Sequence, residues 1–295
     1  MTEGDRGLRL ILATLAVDRW HARLDRLRST LILAFASDAA LDRFNEWAYS
    51  RAETYRPGSE GFRRHLYPWE EHVIGAFFPP PPARLILGGA GAGRESLALA
   101  EAGYEIIAFE PVRALAEAMA RQVEVEGSAA RIQVLRGGYE DLPHLRGISG
   151  ASQVAVDDLG PFDAAILGWG SFSHLRSVSH RINTLRTFAR LTAGPILVSF
   201  IAVKSAHLPG SRRGIGLRRL LGRRGRDPED RFSIHMGYQH PVSEEEIASL
   251  AGRAGLEVVE LQFAGGETYA PYAVLRRVRS ASVGQAGRAT RPRGD

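Results

Sequence analysis

Residues 85–96 read LILGGAGAGRES: an apolar run, a glycine-rich turn and the opening of a helix. Leu85, Ile86 and Leu87 form a short continuous apolar run bounded by glycine, which fits a strand buried on both faces. Gly89, Gly91 and Gly93 alternate with alanines, so the backbone can turn tightly and meet a ligand with no Cβ in between. The helix that opens at Arg94 adds unpaired N–H groups and the positive end of its dipole. A strand, such a turn and a helix in succession make a cradle for a ligand; a tight turn that holds nothing has the same local signature.

Downstream of the turn, apolar runs of strand length alternate with helical periodicity. Residues 104–109, 131–135, 162–167 and 195–201 read as strands, and 94–102, 111–125 and 174–191 as helices. The alternation predicts a doubly wound parallel sheet. Ser243 followed by three glutamates predicts a capped helix to about 254, ended by Gly255. Strands at 256–263 and 269–278, joined through Gly265-Gly266, then form an antiparallel hairpin. The expected fold is α/β, with a mostly parallel seven-stranded sheet that ends in this C-terminal hairpin.

Upstream, residues 6–28, 38–51 and 62–76 carry apolar positions at three-to-four spacing and predict helices, with Asp38 as N-cap of the second. Four consecutive prolines, 79–82, end this region, because they neither continue a helix nor donate to a sheet ladder. Three parts are expected. They are a helical accessory or lid segment at 1–82, the α/β domain at 83–279 with a basic insertion at 203–232, and a disordered Gly-, Ser- and Arg-rich tail at 280–295.

With 44% hydrophobic and 24% charged residues among 295, the composition is that of an ordinary soluble globular protein. The chain has no cysteine, which excludes disulfides, thiolate metal sites, cysteine nucleophiles and iron–sulfur clusters and suits a reducing, cytoplasmic compartment. No metal site is expected. The apolar runs at 8–17 and 31–36 fall short of the ~20 residues that span a bilayer. No clean small-x-small cleavage site follows the first. The net charge of +5 is concentrated: eight basic residues and no acid lie between 204 and 226, and 276–295 carries +5, so the remainder stands at −8. A nucleic-acid enzyme with a basic working face spreads its charge more widely.

Glu110 ends the second predicted strand, 17 residues past Gly93, where a parallel sheet returns the chain beside the glycine turn. A carboxylate there can accept hydrogen bonds from both hydroxyls of a ribose, or simply face solvent. Turn and carboxylate alone also fit a nicotinamide or flavin domain, since Gly91-x-Gly93-x-x-Ser96 approximates the dinucleotide fingerprint.

The order of the remaining segments goes further. LILGGAGAGRES is followed by IIAFEP (106–111), GGYEDLP (137–143), FDAAILGWGSFSHL (162–175), GPILVSF (194–200), HPVSEEEIASLAGRAGLEVVELQ (240–262) and YAVLRRV (272–278). In order and spacing these resemble the class I S-adenosylmethionine (SAM)-dependent methyltransferases over residues 83–278. The resemblance implies methyltransferase activity with SAM as cofactor. It implies that Gly89, Ala90, Gly91 and Gly93 cradle the methionine end and that Glu110 holds the ribose. Tyr139, Glu140 and Asp141 would flank the adenine, and Leu167, Gly168 and the residues through Ser171 would line the methyl-transfer side. Two positions depart from the family: Leu87 stands where an acid often precedes the glycines, and Gly138 where an Asp often opens the adenine loop.

Transfer from a sulfonium needs alignment, exclusion of water and sometimes removal of a proton, so catalytic residues are weakly marked. His174, expected at the start of the helix after the fourth strand, is the candidate proton acceptor; a helix-start histidine without a role fits equally. Trp169 and Phe172 are candidates to wall an acceptor pocket, and residues 67–71 to form part of a lid. Relatives that methylate nucleic-acid amines carry Asn/Asp-Pro-Pro-aromatic where this chain has Gly168-Trp169-Gly170-Ser171, so no DNA substrate is expected. The expected acceptor is a small molecule methylated on O or N. The basic run from Arg212 to Arg226 suits RNA, an anionic metabolite or an acidic membrane surface as well as a solvated loop. An NAD(P)-dependent oxidoreductase, a non-catalytic protein of the methyltransferase fold and an RNA methyltransferase stay open as alternatives. The sequence specifies no oligomeric state.

Overall fold

The structure, a computed structural model, describes residues 3–63, 65–148, 150, 152–203, 216, 227, 229–263 and 270–278. At its centre is β1 (Arg84–Gly88). β2 (Glu105–Glu110) and β3 (Ile132–Arg136) lie on one side, and β6 (Ala164–Leu167) and β7 (Ile196–Ser199) on the other, all parallel to it. Strand order therefore reverses at β1, and the crevice beyond the carboxyl ends of β1 and β6 is the switch point at which open α/β sheets bind ligands.

Period-two alternation sends Leu85 and Leu87 to one face of the sheet and Ile86 to the other. The first face is covered by α4 (Pro68–Phe77), α5 (Arg94–Glu101) and α6 (Arg113–Val125), which contribute Trp69, Val73, Leu97 and Met119. The second carries α7 (Val178–Leu191) and α8 (Glu244–Arg253), through Leu185, Phe188, Ile247 and Leu250. Leu87, where an acid was a family option, is fully buried in this packing. β11 (Tyr272–Arg277) pairs antiparallel with β7, and β10 (Leu256–Gln262) pairs antiparallel with β11. The connection through Gly265-Gly266 lies outside the described residues.

Among the described residues the sheet has nine strands, where seven were expected. The additional pair, β4 (His144–Gly147) and β5 (Gln153–Ala155), is an antiparallel hairpin at the β3 edge. Strands of four and three residues, with Leu145 as their one fully buried side chain, are too short for alternation to register.

The N-terminal region is helical, as α1 (Glu3–Phe35), α2 (Asp38–Arg51) and the short α3 (Glu60–Arg63). The predicted helix at 62–76 is divided between α3 and α4, because the residue before Pro68 is disfavoured in helical backbone and proline suits a first turn. Ser37, not Asp38, caps α2: its Oγ accepts the Ala40 N–H at 3.2 Å. The helix expected from 174 begins at Val178, behind a 3₁₀ turn at Ser171–His174, with Ser177 as its cap. Leu33 and Leu41 share a core with Phe232 and Tyr238 of a small two-stranded sheet, β8 (Arg231–Ser233) and β9 (Gly237–Gln239). The basic run itself, 204–226 apart from Gly216, and the tail at 279–295 lie outside the described residues. Among the described residues no helix is long and apolar enough to cross a membrane.

Close packing at the switch point makes a specific prediction. A Cβ at Gly168 would stand 2.7 Å from the Gly89 carbonyl oxygen and 2.9 Å from that of Gly88, both backbone atoms that cannot step aside. Gly168→Ala is expected to lower the unfolding free energy by about 1–3 kcal/mol, the range of overpacking strain. Gly252→Ala, in α8 with nothing within 4 Å, is expected to be neutral or stabilising in the same urea titration.

Candidate ligand-binding site

β1 runs into the glycine turn, and two of its glycines serve different ends. Gly91 has φ +57° and nothing within 4 Å of a built Cβ; it opens onto a cleft. Gly93 has φ +97°, and its Cβ would meet Met119 Cγ at 2.7 Å, so it serves the contact between α5 and α6. Gly89 lines the cleft beside Gly91, whereas Ala90 is buried with its N–H donating to the Phe109 carbonyl at 3.2 Å.

The cleft has a volume of about 290 Å³ and lies over the carboxyl ends of β1 and β2. Glu110, the last residue of β2, borders it and is 5% exposed. One carboxylate oxygen accepts the Gly91 N–H and the other the Val112 N–H, each at 2.9 Å. Lone pairs remain on both oxygens for ligand hydroxyls. Burial pushes this carboxyl up to about 7, against the downward pull of the Val112 and Gly91 N–H groups.

The loop after β3 behaves differently at each of its three candidate residues. Tyr139 sits edge-on to Phe109 at 5.5 Å between ring centres, and its hydroxyl donates to the Gly88 carbonyl at 3.0 Å and meets Ser171 Oγ at 2.6 Å. It is a wall of the cleft and a brace between β1 and the loop after β6. Glu140 also borders the cleft, on the exposed side. Asp141 does not: its carboxylate accepts the Gly138 N–H at 2.7 Å and closes the 3₁₀ turn Tyr139–Asp141.

Leu167 and Gly168, expected on the methyl-transfer side, do not line this cleft. Leu167 is fully buried in the core, and Gly168 is pressed against the Gly88 and Gly89 carbonyls, with its N–H donating to Gly88 O at 2.7 Å. The loop turns outward only after them, so Trp169 and Ser171 reach the cleft. Phe172, an expected pocket wall, is fully buried in the core instead.

His174 borders the cleft with both ring nitrogens engaged. Nδ1 lies 2.7 Å from the Tyr238 carbonyl, which only accepts, so Nδ1 carries the proton. Nε2 then accepts from the Tyr49 hydroxyl at 2.9 Å. Burial, with Arg176 nearby, holds the imidazole below its ordinary value despite the Tyr238 bond, so the ring is neutral near pH 7.

Sequence reading missed the far wall, which comes from α2. Asp42, Asn45, Glu46 and Tyr49 stand at i, i+3, i+4 and i+7, a polar stripe on the helix that buries Leu41 and Ala48. Tyr55 packs on Tyr49 at 5.4 Å and also borders the cleft. Next to Gly89 and Gly91 lies a smaller recess of about 60 Å³, floored by Arg94. The Arg94 guanidinium grips Glu70 bidentately at 2.6 and 2.7 Å, donates to the His65 carbonyl, and lies 4.3 Å from the Tyr67 ring centre. Tyr67 borders this recess with Trp169, 5.1 Å away, so the 67–71 stretch reaches the glycine turn. Among the described residues no cluster of His, Asp and Glu has the arrangement of a metal site.

No protein-family model matches this chain, and no curated protein matches it by sequence. Solved structures do. Mitomycin 7-O-methyltransferase MmcR is 19% identical, over 88% of this chain and 68% of that one, with a TM-score of 0.53. The CcbJ methyltransferase from Streptomyces caelestis is 14% identical over 80% and 98%, TM-score 0.53. Magnesium protoporphyrin IX methyltransferase ChlM from Synechocystis PCC 6803, solved with SAM bound, is 15% identical over 83% and 99%, TM-score 0.52. At such identities the likeness is one of fold: the chain has the Rossmann-like fold of class I methyltransferases.

The Glu110 carboxyl gives a pH prediction. Its pKa is raised in the folded state, so between the ordinary carboxyl value and about 7 the folded chain holds a proton that the unfolded chain has lost. The stability it contributes is full at low pH and is lost as pH rises through that window, by on the order of 2–3 kcal/mol. Unfolding titrations at pH 5 and pH 8 are expected to show a fall for the wild type that Glu110→Gln reduces by about that amount.

Proposed function

We propose that this protein is a SAM-dependent methyltransferase acting on an O or N atom of a small-molecule acceptor. The observation that carries the reading is the pairing of Gly91 with Glu110 in one cleft at the switch point, an open Cα beside a buried carboxylate with spare lone pairs. The fold supports it, since the antiparallel β11 between β7 and β10 belongs to methyltransferase sheets rather than to dinucleotide domains.

The residues fit the cofactor. Gly91 would give bare backbone for the methionine end, with Gly89 beside it, Glu110 would accept from the ribose hydroxyls, and Tyr139 and Glu140 would border the base. When bound, SAM supplies a methyl group on a sulfonium, an excellent leaving group. The chain's own residues then align the acceptor and exclude water, with Trp169 and Ser171 on the acceptor side and α2 as the roof. His174 is the proton acceptor in this reading. It is neutral, its tautomer is fixed by the Tyr238 carbonyl, and its Nε2 receives the acceptor's proton through the Tyr49 hydroxyl that already donates to it.

Calorimetric titration tests both halves. SAM and S-adenosylhomocysteine are expected to bind in preference to NAD and NADP, and Glu110→Ala to weaken them by about 1–3 kcal/mol, the cost of lost buried hydrogen bonds. Unchanged affinity in that variant removes the ribose assignment, and preference for a nicotinamide nucleotide removes the methyltransferase reading. His174→Ala and Tyr49→Phe are expected to leave SAM affinity intact while lowering turnover of a hydroxyl acceptor by about 10²–10⁴, the usual contribution of a positioned base.

A further inference from the structure

α1 is exposed all round from 14 to 21, and along it Val17 at 52%, Trp20 at 61%, Leu24 at 49%, Leu27 at 55% and Leu31 at 45% are exposed large apolar side chains in one register, with Leu15 and Phe35 exposed outside it. The spacing in that register is three, four, three, four, and in the sequence the same alternation extends back through Ala13 to Leu10. That spacing is the a/d repeat of a coiled coil. Ser29, Leu33 and Ala34, off this stripe or at its end, are the residues by which α1 is anchored to the rest of the chain.

We infer that this seam pairs α1 with α1 of a second copy of the chain, antiparallel, to form a two-fold dimer. The five side chains alone leave on the order of 500 Å² of apolar surface per copy, against the ~800 Å² per partner of a standard interface, and the flanking positions supply the difference. Those flanks fix the direction. His21 and Arg28 border one side of the seam, and Arg23 and Thr30 the other. Parallel pairing in register sets Arg23 against the partner's Arg28, a like-charge contact at the position that selects orientation. Antiparallel pairing about the midpoint of Leu24 and Leu27 instead sets Leu24 on the partner's Leu27, Trp20 on the partner's Leu31, Arg23 opposite the partner's Thr30, and His21 opposite the partner's Arg28, whose charge Asp25 already engages at 2.6 Å.

The inference does not rest on the methyltransferase reading, and the cysteine-free chain suits its test. Sedimentation of the full chain is expected to give twice the 32.2 kDa monomer mass, and Leu24→Glu/Leu27→Glu to halve it with the far-UV circular dichroism unchanged. Trp20→Cys/Leu31→Cys is expected to cross-link between copies on oxidation. Trp20→Cys alone is not, because antiparallel helices hold the two copies of that position ~16 Å apart, too far for a disulfide. Four results each overturn the proposal: a monomer throughout the micromolar range, a dimer that survives the double glutamate variant, cross-linking by Trp20→Cys alone, or a monomer that floats with phosphatidylserine vesicles through this face.

Discussion

The two hydrogen bonds that Glu110 accepts, from the Gly91 and Val112 N–H groups, hold the glycine turn, the end of β2 and the entry to α6 in one register. Neither donor is part of a strand ladder. Remove the carboxylate and two N–H groups at the mouth of the cleft lose their partner, at about 1–3 kcal/mol for each one left buried. The arrangement has a cost of its own, visible in an acid held near neutrality by burial. Two hydroxyl donors from a ribose would offset that cost by solvating the anion. A carboxylate already desolvated and already aimed is the preorganised element around which the rest of the site is arranged.

The opposite wall depends on a second set of bonds, which run from the cleft into the body. Tyr238 offers its carbonyl to His174, and its own N–H donates to Asn45 Oδ1 at 3.3 Å. Its hydroxyl donates to Asp230 at 2.7 Å, and His240 bridges Asp230 and Glu246 at 2.9 Å on both sides. Burial alone would lower the His240 pKa, but the two carboxylates raise it, so the imidazolium is the form that satisfies both. α2 is thus fixed to β9 through Asn45 and to the loop after β6 through Tyr49, polar contacts that lose their partners if it lifts. The tautomer of His174 is set by the segment that also anchors the roof.

How much of this the sequence reveals follows from how far apart in the chain the parts lie. The glycine turn and Glu110 fall within residues 85–110, on one strand–helix–strand unit, and residue type with spacing suffices to read them. Gly93 and Gly168 look like ligand glycines in sequence but answer to Met119 and to backbone carbonyls, contacts that no local pattern encodes. Asp141 likewise reads as a free acid near the base and proves to be a turn closure. The β4–β5 hairpin is too short to carry a period, and the link between Leu33, Leu41 and Phe232 joins segments nearly two hundred residues apart. The stripe on α2 was visible as polar residues at helical spacing, but its meaning required knowing what α2 covers.

The charge around the cleft follows from this geometry. Asp42, Glu46, Glu110 and Glu140 border it against Arg43 and Arg176, and Arg176 is engaged by Asp42 and Asp38. The site is therefore net acidic, as is the body of the chain once the basic run and tail are set aside. For the proposed donor this has a direct consequence. SAM carries a sulfonium cation and its product is a neutral thioether, so an acidic cleft of reduced dielectric favours the charged donor over the spent one. The same field disfavours an anionic acceptor and suits a neutral hydroxyl or an amine. In the proposed reaction a hydroxyl would lose its proton beside carboxylates that resist a second negative charge, so a neutral imidazole reached through Tyr49, rather than another acid, would be the chemically suitable proton acceptor.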